Sequence, residues 1–155
     1  MKIVHLCLGN FFSDNYSYQE NMLPKFHKKQ GYDVEVIASL ETFDKDGKPC
    51  LYSGKKKYIN ENDVYVTRLN YKNPQKIYKK LRRFVGFEDA LDKAKPDILF
   101  IHNVQFLDID KVIKYVKKHP KTKIFCDNHA DYVNSAQNPL SRKILHGIVW
   151  KHCAK

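Results

Sequence analysis

No stretch of this chain approaches the roughly 18 consecutive apolar residues that a membrane-crossing helix requires. The N-terminal run Ile3 to Leu8 is interrupted by His5 and is too short for the apolar core of a secretory leader. Four cysteines, Cys7, Cys50, Cys126 and Cys153, stand far apart with no paired spacing, which argues against a disulfide framework and fits a reducing cytosol. With six glycines in all, the chain has neither the three-glycine dinucleotide fingerprint nor the Walker lysine loop, so NAD and ATP binding of those kinds are not expected. No serine sits in a nucleophile-elbow context and no cysteine is placed for catalysis. Acidic residues are also scarce: 28 Lys and Arg stand against 17 Asp and Glu, a net charge of +11 that predicts attraction to an anionic partner or, more plainly, lysines that solubilise helix faces.

What is present is the composition of a folded domain. Of 155 residues, 43% are hydrophobic, 29% charged and 13% aromatic, and a chain of this length buries roughly 68–70% of its unfolded surface. A single domain over 1–155 is expected. Short apolar runs at Ile3–Leu8, Val34–Ser39, Val64–Leu69, Asp97–His102 and Ile124–Asp127 read as strands, the fourth apolar throughout like a strand covered on both faces. Helical patterns fall between them. Tyr18, Met22 and Phe26 share a face over 17–30, with Gly31 as stop and Pro24 requiring a kink or a late start. Asn73-Pro74 reads as cap and first position of a helix carrying Ile77, Leu81, Phe84 and Val85 to Gly86, with further turns to about Ala94. Val112, Ile113 and Val116 mark a third helix, ended by Pro120, and Asn138-Pro139 opens a last one through Ile144, Leu145 and Ile148. Between the second and third strands lies a less regular region, with a turn at Asp46-Gly47 and a charged loop at Gly54–Lys57. Strands alternating with helices imply an α/β fold, a Rossmann-like three-layer sandwich with a mainly parallel sheet.

In such sheets ligands bind beyond the carboxyl ends of the strands, and three runs, each read as a buried strand, end there in polar residues: Gly9-Asn10, His102-Asn103, and Asp127 to Asp131. Gly9 lets a ligand approach the backbone closely, or simply makes a tight turn. His129 can donate or accept a proton near neutral pH, with Asp127, Asn128 and Asp131 to orient it or to bind sugar hydroxyls; the plain alternative is a loop held together by these residues. A metal site from His102, Asp127, His129 and Asp131 lacks the spacing of a metal motif, and none is expected. Asn73 to Phe87 interleaves Lys76, Lys79, Lys80, Arg82 and Arg83 with Ile77, Tyr78, Leu81 and Phe84, which suits either an anionic bilayer or ordinary packing on the sheet.

Taken together, Met1-Lys-Ile-Val-His-Leu6, Gly31-Tyr-Asp-Val-Glu-Val36, Lys95-Pro-Asp-Ile-Leu-Phe-Ile-His-Asn103 and Lys123 to Asp131 resemble the N-terminal half of family 4 glycosyltransferases with the GT-B fold. The resemblance implies an acceptor-binding domain whose nucleotide-sugar-binding partner domain is absent, half of a retaining enzyme of cell-surface polysaccharide or glycolipid synthesis and inactive by itself. It implies His129 as the catalytic residue that positions the transferred sugar and stabilises its developing positive charge, the leaving diphosphate serving as base. Substrate contacts are expected at Gly9, Asn10, His102, Asn103 and Asp131, the loop from Gly9 to Asp14 matching the family's glycine-containing loop with one glycine where many relatives have two. No cofactor is expected beyond the nucleotide-sugar substrate. The partners are that donor, a sugar or lipid-linked acceptor and an anionic membrane surface, with no nucleic acid, and the location is cytoplasmic or peripheral on the inner membrane face. The competing expectation is a basic α/β module that binds nucleic acid or anionic membrane without catalysis.

Overall fold

The computed structural model describes residues 1–127 and 142–154. Its centre is a six-stranded sheet of β1 (Lys2–Cys7), β2 (Asp33–Ala38), β5 (Lys57–Ile59), β6 (Tyr65–Arg68), β7 (Ile98–His102) and β8 (Lys123–Asp127), with β3 (Glu41–Phe43) and β4 (Pro49–Leu51) forming a separate hairpin. The order β5-β6-β2-β1-β7-β8 is parallel except for β5, which runs antiparallel to β6. Connections leave β1 toward β2 on one side and reach β7 on the other, so the strand order reverses between β1 and β7.

The strands expected at the start, at Val34, Val64, Asp97 and Ile124 are all present, each within a residue or two of its expected bounds. The irregular region holds more order than expected. Asp44 Oδ1 accepts hydrogen bonds from the backbone N–H of Asp46 and Lys48 at 2.9 and 2.8 Å, and Gly47 takes φ 74°, so the Asp46-Gly47 turn closes the β3–β4 hairpin. β5, reached through Gly54 and the lysines, is only three residues long, too short to announce itself by alternation in the sequence.

Helix α1 (Gln19–Lys29) starts late, which places Pro24 nearer its first turns, and Pro24 is buried. The long basic helix is a correction. It is two helices, α2 (Gln75–Leu81) and α3 (Phe87–Ala94), separated by left-handed Arg82 (φ 51°) and Gly86 (φ 70°). Between them Phe84 pairs with Tyr71 as an antiparallel bridge and donates its N–H to the buried Asp108 carboxylate at 2.7 Å, so this backbone bonds across the chain instead of up a helix. Ile77 and Val85 are exposed while Phe84 is buried, and the four apolar residues do not share a face. Asn73 makes no capping hydrogen bond; Pro74 holds the cap position.

Helix α4 (Ile109–Lys118) turns Ile109, Val112 and Tyr115 inward and leaves Ile113 exposed. Its chain-terminal counterparts are the wide-wound α5 (Arg142–Trp150) and a short α6 (Lys151–Cys153), which bring Trp150 and Cys153 into the core while Ile148 stays exposed. The opening of the last helix at Asn138-Pro139 lies outside the described residues.

Alternation along the strands divides the core in two. Val4, Leu6, Leu8, Ile37, Leu99 and Ile101 pack with Phe87, Leu91, Phe106 and Val112 from α3, α4 and their approach, whereas Cys7, Val34, Val36, Val64 and Val66 gather with Phe12 on the opposite face. β8 corrects the expectation of a third buried strand: among the described residues it is the sheet edge, and Ile124, Phe125 and Cys126 are exposed. All four cysteines are free.

Candidate functional site

The tips of β1 and β7 meet where the strand order reverses. A Cβ on Gly9 would lie 2.5 Å from the Asn103 carbonyl oxygen, so only a residue without one permits this approach. Asn103 occupies the left-handed region (φ 68°), where asparagine is tolerated. Its Oδ1 accepts the Gln105 N–H at 2.9 Å, and its own N–H donates to the Asp127 carbonyl at 3.1 Å. Beside it, the Asn10 side-chain amide donates to Glu20 Oε1 from α1, and Ser39 Oγ donates to the Asn10 carbonyl at 3.4 Å. Gly9, Asn10 and Asn103 are thus brought to one strand edge, whereas His102, expected to contact substrate, is wholly buried beneath it because its strand is covered on both faces. His129 and Asp131 lie outside the described residues.

The loop after β1 is held from below by Arg68, whose side chain is fully buried. Nη1 donates to the carbonyls of Phe12 and Ser39 at 2.8 and 3.1 Å, and Nε donates to Tyr58 Oη at 3.1 Å. The guanidinium also lies over the rings of Phe12 and Tyr52, at 4.9 and 4.5 Å. Its charge is met by Asp14 at 3.7 Å, which accepts the Tyr58 hydroxyl at 2.7 Å. Burial pushes the Asp14 carboxyl up, against the opposing pull of Tyr58 and Arg68, and burial likewise pushes the Tyr58 phenol up.

On the other flank Glu41, nearly buried, faces Lys79 Nζ at 3.8 Å and Arg82 Nη2 at 3.9 Å. Arg82 donates to the Gln105 carbonyl at 2.8 Å and lies over the Trp150 ring. Burial lowers its pKa, opposed by Glu41 and Tyr71. Arg83 reaches Asp108 at 3.6 Å. Three of the five cations of the basic segment therefore pair with carboxylates of this chain, and Lys76 and Lys80 remain exposed with Ile77.

Beneath the edge runs a line of imidazoles. His102 Nδ1 lies 3.0 Å from Asp127 Oδ2, His102 Nε2 is 2.9 Å from His5 Nδ1, and His5 Nε2 is 3.0 Å from Nδ1 of the half-buried His27 on α1. His5 and His102 are both wholly buried, so His102 communicates with the edge through Asp127. Phe100 stacks on His5 and packs against His102. Gln19 donates to the same Asp127 oxygen at 3.0 Å.

His5 is held well below the ordinary histidine value of 6.5, first by burial and then by its two histidine neighbours. The unfolded chain binds a proton at this position near pH 6.5 and the folded chain does not. Its contribution is therefore complete above 6.5 and is lost as the pH falls below it, by up to about 1.4 kcal/mol per pH unit for one group. Urea midpoints at pH 7.5 and 5.5 are expected to differ accordingly, and His5→Gln to flatten the difference.

Several site residues escaped sequence reasoning. The first turn of α1 sends Gln19 to Asp127, Glu20 to Asn10 and Asn21 to the Ser13 carbonyl at 2.9 Å, a use of three consecutive polar residues that a helix face alone does not require. His5 and His102, each inside an apolar strand, were the available signal for the imidazole line. Glu41 and Arg68 carried none, because only the fold buries them.

Amide and carboxylate groups at Asn10, Glu20, Asn103 and Gln105, all partly exposed, are hydrogen-bonding partners for hydroxyls. Beside the same loop, Phe11 and Tyr16 stack on Phe43 at 4.7 and 5.8 Å, with Tyr18 at the margin. Two clefts lined by described residues, of about 400 and 340 Å³, lie against α3, away from the strand tips. No group of three or more metal-ligating side chains occurs among the described residues, and no helix among them is long and apolar enough to cross a membrane. Comparisons with protein-family models, with curated proteins and with solved structures found no match.

Proposed function

We propose that this chain is the acceptor-binding, Rossmann-like domain of a retaining glycosyltransferase that uses a nucleotide-sugar donor, acting in cell-surface polysaccharide or glycolipid synthesis at the cytoplasmic side of the membrane. The observation that carries the reading is the Gly9–Asn103 approach at the reversal of strand order, because open parallel sheets bind ligands at that crevice. The five parallel strands follow the doubly wound order, α3 and α4 pack on one face and α1 lies against β1 and β2, which supports the Rossmann-like reading. Amides and carboxylates beside Phe11, Tyr16 and Phe43 suit a ligand that is polar at its rim and apolar on its ring faces. A second domain supplies the nucleotide-sugar site in this reading, and His129, one position beyond Asn128 in the sequence, borders the transferred sugar.

The test is to titrate the ¹⁵N-labelled chain with oligosaccharide and lipid-linked sugar acceptors. Shifts confined to Gly9, Asn10, Glu20, Asn103 and Gln105 are expected, and Asn10→Ala is expected to weaken binding about tenfold, the loss of one hydrogen-bonding side chain worth about 1.5 kcal/mol. Indifference to sugars combined with tight, salt-sensitive binding to anionic vesicles through Lys76 and Lys80 would replace this reading with that of a basic membrane-binding module.

A further inference from the structure

The line of Asp127, His102, His5 and His27 joins the ligand edge of the sheet to the outer surface of α1, across three contacts of 2.9 to 3.0 Å. A carboxylate only accepts hydrogen bonds, so the nitrogen of His102 that faces Asp127 carries a proton. That single constraint fixes every other position. His102 Nε2 is bare and accepts from His5 Nδ1–H, and His5 Nε2 is bare and accepts from His27 Nδ1–H. The free nitrogen of His27, Nε2, is left with a lone pair at the half-buried outer end. Three imidazoles in series thus share one polarity, with every N–H pointing from α1 toward Asp127.

We propose that these four residues form a directional proton relay that delivers one proton from solvent at His27 to Asp127, for use by a ligand bound at the strand edge. The transfer balances atom by atom. A water-borne proton binds His27 Nε2 while the Nδ1 proton of His27 passes to His5 Nε2; the Nδ1 proton of His5 passes to His102 Nε2, and that of His102 passes to Asp127. No bond other than N–H and O–H changes, and one unit of positive charge moves inward. Asp127 then gives the proton to an anionic phosphate oxygen of the ligand and returns to carboxylate. At that point His102 presents a bare Nδ1 to a carboxylate, an acceptor facing an acceptor. The line resets by taking up a proton at the Asp127 end, such as one shed by an attacking hydroxyl, and releasing one from His27 Nε2–H.

This alternation matches a transfer in which a departing phosphate gains a proton and an incoming hydroxyl loses one; that last correspondence rests on the glycosyltransferase reading, with Asp127 carrying the proton between them in place of direct transfer to the leaving diphosphate. The relay itself does not. Its surroundings suit conduction over storage. Buried His5 disfavours a resting charge, so a proton crosses it without stopping, while the carboxylate end attracts it. Around the line stand Gln19 on Asp127, Phe100 on His5 and His102, and Tyr32 edge-on to His27. The nearby charged groups on this face, Glu20 and Arg68, act on Cys7, two residues further along β1. The shared polarity follows from the hydrogen bonds themselves; what a purely structural network would not need is a bare nitrogen at a half-exposed end, as at His27.

Long-range ¹⁵N–¹H correlation spectra of the imidazoles in the ligand-free chain test the arrangement. His5 and His102 are expected to show a protonated Nδ1 and a bare Nε2. In His27→Gln the amide still donates to His5 but cannot pass a proton on. Exchange of the His102 Nδ1–H with water is then expected to slow by roughly ten- to a hundredfold, because only local opening of the fold remains as a route. His27→Ala is the second variant, and unchanged spectra elsewhere report that the fold persists. Exchange at the wild-type rate in both variants, or a protonated Nε2 on His102, would overturn the relay. Neither measurement involves ligand, so failure of the chain to bind sugars would remove the glycosyltransferase reading and leave the relay standing.

Discussion

Gly9→Ala is expected to destabilise the protein and to disable the strand edge together, although the same exchange at an unconstrained position stabilises. Alanine lowers the entropy of the unfolded chain by about 0.4–1 kcal/mol. Here its Cβ would meet the Asn103 carbonyl oxygen at 2.5 Å and the carbonyl carbon at 3.2 Å, and both are backbone atoms that no rotamer change can move aside. Relief requires the β7 tip to retreat, which strains the Asn103 N–H bond to the Asp127 carbonyl and the Asn103 Oδ1 bond to Gln105. Overpacking of this kind costs about 1–3 kcal/mol and outweighs the entropic gain. A lowered urea midpoint, with the largest amide shifts at Asn103, Gln105 and Asp127, is the expected result. An unchanged midpoint and unchanged shifts would show that β1 and β7 do not approach so closely.

A larger loss is expected from Arg68→Met. The apolar replacement fills most of the volume but leaves the Phe12 and Ser39 carbonyls without their donor, and Asp14 without its counter-charge. Removing one member of a buried ion pair costs about 3–5 kcal/mol. The damage concentrates where Arg68 reaches: the β1–α1 loop, β5 through Tyr58, and the start of the β3–β4 hairpin through Ser39. Urea unfolding measures the total. Adding Asp14→Asn is expected to recover part of the loss, because the two positions share one interaction and their effects do not add. Arg68→Lys is expected to restore little, since an ammonium cannot supply three hydrogen bonds in one plane while stacking between Phe12 and Tyr52.

Both predictions concern residues that hold the strand edge in place, and they differ in how far the sequence announced them. Gly9 follows an apolar run and ends it, so a turn with close backbone approach could be read directly. Arg68 ends an apolar run as well, yet nothing local says that a cation at a strand tip will be enclosed. Its burial depends on Phe12, Tyr52 and Tyr58 arriving from three other segments. The basic segment after Asn73 shows the reverse. Its helical spacing was real for a few residues, but Phe84 found better partners in Tyr71 and Asp108, and the expected apolar face came apart. Strand β8 was legible as a strand and misjudged in burial, because an apolar run specifies extended backbone without specifying how many neighbours the sheet provides.

The amino-acid order alone settled the alternation of strands and helices and the placement of Gly9, Asn10, His102 and Asn103 at strand ends, because these follow from local periodicity and from which residues can end a strand. Which strands lie side by side was decided only in three dimensions, and with it the reversal between β1 and β7 that joins Gly9 to Asn103. The same is true of the imidazole line: His5, His27, His102 and Asp127 are spread over most of the chain, and their contacts exist because β1, β7, β8 and α1 pack in that order. Local pattern governs backbone conformation, whereas hydrogen bonds between distant side chains depend on the register of whole elements, which no short window of residues contains.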